Sequence, residues 1–295
     1  MAKPREPLRL DVRKSYTLFI GGAFVRSESG RSDVFGAGAE DAATVARASR
    51  DDVHAAIAAA RAAFAPWAGR AAMDRGRSLY RLAELLDARR ADFVYRLRAG
   101  TKLDEDDALR ETTAAVDRTL WYAGWCDKYA SILGSVAAVD GPYRCTSEAG
   151  PLGVVGTLAP DEPALLGLVS AVLPALVAGN TVVAVASEID PRTAVVFAES
   201  VATSDLPAGA VNIVTGRRIE IGPELARSGD VDAFDAAGLD APFAAELERL
   251  AASNLKRVRT SGDPSERYGF SNDANDLANV AAFATLKTTW EPTAI

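Results

Sequence analysis

The sequence predicts a doubly wound α/β fold on a mostly parallel sheet, with a layer of helices ahead of it. Three observations carry this. From Gly153 onward short apolar runs alternate with helical segments, as parallel strands joined by right-handed crossovers require. Amphipathic periodicity between Ser49 and Tyr129 predicts three helices before the first of those strands. The apolar run from Ala164 to Ala178 contains Pro174 and is too short to span a bilayer, so it reads as a helix enclosed by protein.

In chain order, Tyr16 to Val25 reads as two short strands around a Gly-Gly turn. Ser49 is placed to cap the first helix. Asp51 and Asp52 suit its positive end, and Val53, Ile57, Ala60 and Phe64 share one face. Leu79, Leu82, Leu86, Phe93 and Leu97 recur at helical spacing and predict a second, longer helix; a third is expected from about Asp106 to Tyr129. The three helices are expected to form a layer on one side of the sheet. GVVGTLA is then a strand, Gly179-Asn180 a turn and TVVAVA the next strand. Asp190-Pro191 reads as an N-cap followed by proline at the first helical position, and VNIVTG as a third strand.

Composition narrows the function classes. At 295 residues the chain can bury one large core or two moderate ones. A net charge of -7 argues against a nucleic-acid groove, which needs clustered cations. Cys126 and Cys145 are too few for a disulfide framework, which fits a reducing cytoplasm. Residues 1–15 lack an apolar stretch and read as a flexible, solvated tail, and no membrane partner is expected.

The segments LFIGGAF, GRSLYRLAELL, YAGWCDKY, GPLGVVGTLAP, GNTVV, LPAGAVNIVTG and SNLKRV, in this order and spacing, resemble the aldehyde dehydrogenase superfamily from Tyr16 to Val258. The resemblance implies a Rossmann-like NAD(P)-binding domain over residues 16–134 and 150–262. No GxGxxG occurs, which suits a family whose cofactor fold departs from the usual glycine fingerprint.

Several residues depart from the family pattern. Where the resemblance implies Trp-Asn after Pro160, with the asparagine in the oxyanion hole, this chain has Asp161-Glu162. A carboxylate cannot donate to a developing oxyanion. The same turn lies near the cofactor pyrophosphate in the family. At about 5 Å and an effective dielectric near 20, a misplaced charge there costs roughly 3 kcal/mol, about a hundredfold in affinity. The alternative reading is that both acids simply favour the N-terminus of the next helix. The family's ribose lysine is matched by Val185, and its ribose carboxylate by Glu188. In DAAGLDA, Gly238 matches a family glycine, Leu239 stands where a serine would meet phosphate, and Phe243 replaces a second glycine. The resemblance thus implies cofactor-binding positions at Pro160, Glu188, Gly216 and Gly238, a weak NAD(P) site, and neither a catalytic residue nor a metal. The general-base glutamate is matched by Ser261, and the domain bearing the nucleophilic cysteine is expected to be absent. Cys126 and Cys145 read as small packing residues, and His54 as a surface residue.

The chain closes with LANVAAFATLKTTWEPTAI, similar to the family's final segment. With the hairpin from Ser135 to Glu148 it implies an oligomerisation arm over residues 135–149 and 277–295, reached through a bridging loop, 263–276. The helix in PFAAELERLAAS, striped by Phe243, Leu247 and Leu250, matches the family's dimer contact, although such stripes more often mark core packing. The expected function is a non-catalytic, aldehyde dehydrogenase-like subunit in the cytoplasm. It would form a homo-oligomer, or a hetero-oligomer with a full-length aldehyde dehydrogenase. The alternatives are a nucleotide-binding (NAD or adenylate) module without turnover, and an NAD(P)-dependent oxidoreductase acting on aldehydes.

Overall fold

The structure, a computed structural model, describes residues 14–36, 41–260, 267–271 and 274–293. Most of the flexible tail expected over 1–15, Ser261 and much of the bridging loop lie outside the described residues. The chain opens with β1 (Ser15–Tyr16), β2 (Leu18–Ile20), β3 (Ala23–Val25), β4 (Ser32–Phe35) and β5 (Ala43–Ala46). The β2–β3 hairpin turns at Gly21 and Gly22, both at positive φ; a Cβ at Gly22 would meet that of Ala208 at 2.7 Å.

Helix α1 (Arg50–Ala68) begins at the cap expected at Ser49. The Asp52 amide donates to Ser49 Oγ at 3.2 Å, and the Ser49 amide donates to Asp52 Oδ2 at 2.7 Å, a reciprocal capping box. The single long helix expected through Leu79 and Leu97 is instead two, α2 (Ala72–Ala88) and α3 (Arg90–Thr101). They part at Arg89 (φ -104, ψ 18), whose guanidinium is drawn to the Glu199 carboxylate and the Val196 carbonyl. The apolar spacing runs through the break because Leu79, Leu82, Leu86, Phe93 and Leu97 all enter one core. Likewise α4 (Glu105–Ala123) stops before Gly124, and α5 (Tyr129–Leu133) is a separate short helix.

The central elements are β8 (Val154–Leu158), α6 (Ala164–Val177), β9 (Thr181–Val185), α7 (Arg192–Ala202), β10 (Val211–Val214), α8 (Arg218–Arg227), β11 (Ala233–Asp235), α9 (Ala241–Ala251) and β12 (Arg257–Arg259). The sheet order is β12-β11-β8-β9-β10-β2-β3, with β12 through β10 parallel and β2 antiparallel to β10. The chain runs outward from β8 through β9 to β10, then returns to the other side of β8 as β11. The β8–β11 boundary is therefore the topological switch point, where doubly wound sheets bind ligands beyond their carboxyl ends.

Two cores sandwich the sheet. On β9, Val182 and Ala184 face the core containing α2, α3, α4, α6 and α7, whereas Val183 and Val185 face the one containing α1, α8 and α9. Helix α1 thus leaves the helical layer expected from sequence: its Val53, Ile57 and Ala60 pack on the opposite face of the sheet from α2–α4. Every residue of α6 is buried, as its almost wholly apolar character requires; the one hydroxyl, Ser170 Oγ, donates to the Leu166 carbonyl at 2.6 Å. Helix α7 starts at Arg192, one residue later than expected, with Asp190 Oδ1 accepting the Arg192 amide at 3.0 Å. Leu247 of α9 is fully buried, with Phe243 and Leu250 packed beside the same core, so the α9 stripe faces inward.

Strands β1, β5 and β4 form a small three-stranded sheet, and a separate antiparallel sheet, β13-β7-β6, is built from β6 (Ser135–Ala137), β7 (Tyr143–Pro151) and β13 (Ala284–Pro292). Helix α10 (Leu277–Ala281) leads into β13. Ala284 to Pro292 pair in unbroken register with Pro151 to Tyr143. Among the described residues no helix is long and apolar enough to cross a membrane.

Candidate functional site

The loops beyond the carboxyl ends of β8, β9, β10 and β11 converge at the switch point. After β8, Asp161 turns back into the protein. Its Oδ1 accepts the Glu188 amide at 2.8 Å and the Ser187 hydroxyl at 3.0 Å, tying the β8 loop to the β9 loop. Arg218, in the first turn of α8, donates from Nη1 to Asp161 Oδ2 at 2.9 Å and from Nη2 to Oδ1 at 2.8 Å. The Asp161 charge is therefore met within the chain, which revises the electrostatic penalty expected there from sequence alone. Glu162 beside it is exposed and lines the cavity.

Carboxylates also take the helix N-termini around this crevice. Glu111 of α4 is buried, and its Oε1 accepts the amides of Leu165 (2.7 Å) and Leu166 (3.2 Å) at the start of α6. Burial pushes its pKa above the ordinary value against the pull of those two amides, and nearby Glu162 adds to the rise. The Glu188 carboxylate accepts the Arg218 amide at the start of α8. Asp240 Oδ2 accepts the Phe243 amide at 3.2 Å in α9. Free N–H groups at helix N-termini are what a phosphate group uses. With these amides already bonded to side chains, the crevice does not fit a pyrophosphate well.

Two adjoining cavities flank the Asp161–Arg218 pair. One, of about 410 Å³, is lined by Pro160, Asp161, Arg218, Gly238 and Tyr268, among others. The other, of about 720 Å³, runs between α8 and α9 past Glu188, Arg217, Gly238, Leu239 and Phe243. Pro160 and Gly238 thus share the first cavity, and Glu188 and Gly238 the second. Gly216 lines neither: at φ +145 it makes the tight turn into α8, where a Cβ would stand 3.0 Å from Ile221 Cδ1. Val185 is buried in β9 between Leu158 and Val214. Phe243 projects into the larger cavity and against Gly222.

The remaining reactive side chains stand apart. Cys126 is buried, and burial pushes its thiol up to about 12, far from thiolate formation at neutral pH. Cys145 is buried in β7. His54 is half exposed on α1, 3.7 Å from Glu224. Among the described residues no cluster of His, Cys, Asp and Glu is arranged to hold a metal. Arg218, Ser187, Arg267 and Asp235 shape the crevice, and no sequence motif marks them. The Arg217-Arg218 pair directly after the Gly216 turn is the one available signal.

The fold and the crevice define a doubly wound domain of the nucleotide-binding type. The chain matches the aldehyde dehydrogenase family over residues 24–289, and it belongs to that family. It is 33% identical over 271 residues to an aldehyde dehydrogenase of Enchytraeus buchholzi, a match covering 88% of this chain and 53% of that protein. To betaine aldehyde dehydrogenase of Bacillus subtilis it is 33% identical, with 83% of this chain and 50% of that protein covered. Among solved structures, a putative aldehyde dehydrogenase from Burkholderia cenocepacia superposes with a TM-score of 0.78 at 31% identity, covering 83% of this chain and 50% of that one. The NAD+ complex of a Bacillus cereus aldehyde dehydrogenase gives 0.76 at 28% identity, with the same coverage. The chain spans about half the length of the curated relatives it matches.

Proposed function

We propose that this chain is a non-catalytic, aldehyde dehydrogenase-like subunit that associates through its three-stranded arm, with itself or with a full-length aldehyde dehydrogenase. The observation that carries this reading is the state of β13. One edge of this strand is bonded to β7 along its whole length, and its other edge has no strand partner among the described residues. Leu286 and Trp290 on it are each 57% exposed, and Trp290 packs edge-on against the exposed Tyr143 with ring centroids 6.2 Å apart. A long open edge with apolar side chains is a hazard in isolation and a ready template for strand addition. The non-catalytic half of the reading is supported by the buried, protonated Cys126 and by Asp161, a carboxylate engaged by Arg218 where the family resemblance implies the oxyanion-hole turn. Only residues 260–276 join β12 to α10, too short a stretch for a second domain.

Affinity purification from the native host followed by native mass spectrometry tests the proposal. A stoichiometric complex with a full-length aldehyde dehydrogenase, or a homo-oligomer that dissociates when β13 is removed, is expected. A strictly monomeric protein would overturn it, as would aldehyde-dependent NADH formation by the pure chain.

A second reading, a nucleotide-binding module without turnover, is favoured by the 720 Å³ cleft that Glu188 and Gly238 line. Saturable binding of AMP or NAD in a calorimetric titration, without NADH formation, distinguishes it from simple association.

A further inference from the structure

Residues 267–271 lie across the switch-point end of the crevice, held from two sides. Arg267 and Asp235, the last residue of β11, form a buried ion pair. Nη1 of Arg267 donates to Oδ1 at 2.7 Å, and Nη2 bonds the other oxygen. Burial works against the Arg267 charge, and the Asp235 carboxylate outweighs it, holding the guanidinium above its ordinary pKa. Tyr268 is also buried, and its hydroxyl donates to the Ala237 carbonyl at 3.4 Å.

From the other side, Arg118 of α4 donates to the main-chain carbonyls of Arg267 at 3.0 Å and Gly269 at 2.7 Å. It also donates to Asn275 Oδ1 at 2.9 Å and Ser170 Oγ at 2.6 Å. Arg118 is buried with no carboxylate partner among the described residues. A buried guanidinium met only by neutral oxygens gains no opposite charge to offset its desolvation, so its hydrogen bonds must carry that cost. What it fixes is the path of Arg267 to Gly269. Phe270 follows at once, half exposed. It lines the 410 Å³ switch-point cavity and two neighbouring cavities, of about 290 and 460 Å³, on the α4 side. The Arg110 guanidinium lies 5.3 Å from its ring centre.

We propose that residues 267–271 are a built-in stopper: a contact within the chain that seats Tyr268 and Phe270 in the switch-point crevice and closes that end to molecules entering from solvent. Arg118 and Asp235 are its positioning residues. Phe270 is shared by the three cavities, and the segment lies over the carboxyl ends of β8 and β11, where Leu158 and Ala237 line the same cavity as Tyr268. It uses none of the arm residues, so it stands or falls separately from the association proposed above.

Thiol labelling of the full-length Ala237→Cys protein tests this. Position 237 lines the switch-point cavity directly under Tyr268, and buried Cys126 in the same molecule reports global opening. The readout is the N-ethylmaleimide rate at position 237 divided by the rate at Cys126. Adding Phe270→Ala, a change at a half-exposed side chain, should raise this ratio tenfold or more. An unchanged ratio, or labelling of the parent at the rate of a free thiol, overturns the proposal. Should Phe270→Ala fail to fold, Arg118→Lys decides by the same criterion, since it keeps the charge while removing most of the donors that hold the segment.

Discussion

The Asp161 carboxylate and the Arg218 guanidinium meet in two parallel hydrogen bonds, Nη1 to Oδ2 at 2.9 Å and Nη2 to Oδ1 at 2.8 Å. The pair joins the loop after β8 to the first turn of α8 and stands between the two cavities. Asp161→Asn keeps the side-chain shape and leaves Arg218 as an uncompensated cation facing both. A unit charge at about 5 Å is worth roughly 3 kcal/mol at an effective dielectric near 20, and partial exposure reduces that to about 1–2 kcal/mol. The affinity for NAD or AMP, followed by calorimetry, should therefore rise by about tenfold. Equal affinities in the two proteins would mean that the Asp161 charge does not govern anion binding in the crevice.

The arm yields a second expectation. Trp290 is exposed on β13 and packs on Tyr143 rather than on the body of the domain. Trp290→Glu should leave the melting transition of the domain nearly unchanged, since surface substitutions usually fall within about 0.5 kcal/mol. The same change should shift sedimentation toward the monomer. Association undiminished by Trp290→Glu and by removal of residues 284–293 would place the interface elsewhere.

The parallel core is legible in the sequence because its signal is local: β8, α6, β9, α7 and β10 announce themselves by apolar runs, Gly179-Asn180 and Asp190-Pro191. The break at Arg89 is not legible, because no Gly or Pro stands near it and the contact Arg89 makes, with Glu199, is to a helix far along the chain. Nor is the placement of α1 on the opposite face from α2–α4. Each of these helices has one apolar stripe, and periodicity does not say which face of the sheet receives it. At the crevice, the sequence shows that Asp161 and Glu162 are unusual without showing what answers them. Arg218 lies in a different crossover, and only folding brings it to Asp161. The family resemblance marks Gly216 as a site residue, but its turn conformation accounts for it.

The Arg267–Asp235 pair makes a prediction about stability. Both side chains are almost wholly buried, at 3% and 1% exposure. Removing one partner strands a charge in a low-dielectric interior, whereas replacing both with apolar groups of similar size does not. Asp235→Asn should lower the unfolding free energy by about 3–5 kcal/mol, and the double change Asp235→Leu with Arg267→Met should recover most of that loss. Urea unfolding checks this, and a double variant as unstable as the single one would mean that the charges themselves hold the segment in place.

Lys256, just before β12, gives a pH dependence with a definite sign. Its ammonium donates to the carbonyls of Leu225 at 3.2 Å and Ser228 at 2.6 Å, and no carboxylate bonds it among the described residues. Burial lowers its pKa to about 8, with Asp232 pulling weakly the other way. Between pH 8 and the ordinary lysine value of 10.5, the folded chain binds fewer protons at this site than the unfolded chain. Stability contributed by Lys256 therefore rises with pH across that window, by about 2–3 kcal/mol in all. Cys126 works oppositely: its thiol, pushed up to about 12 by burial, costs stability as pH climbs above 9. In a comparison of the wild type with Lys256→Met that contribution is common to both and cancels. The wild type should gain on the variant by about 2–3 kcal/mol between about pH 7.5 and 10.5 in urea unfolding. A difference that stays flat over this range would mean that the ammonium remains charged in place, solvated through a route the packing around Leu225 and Ser228 does not suggest.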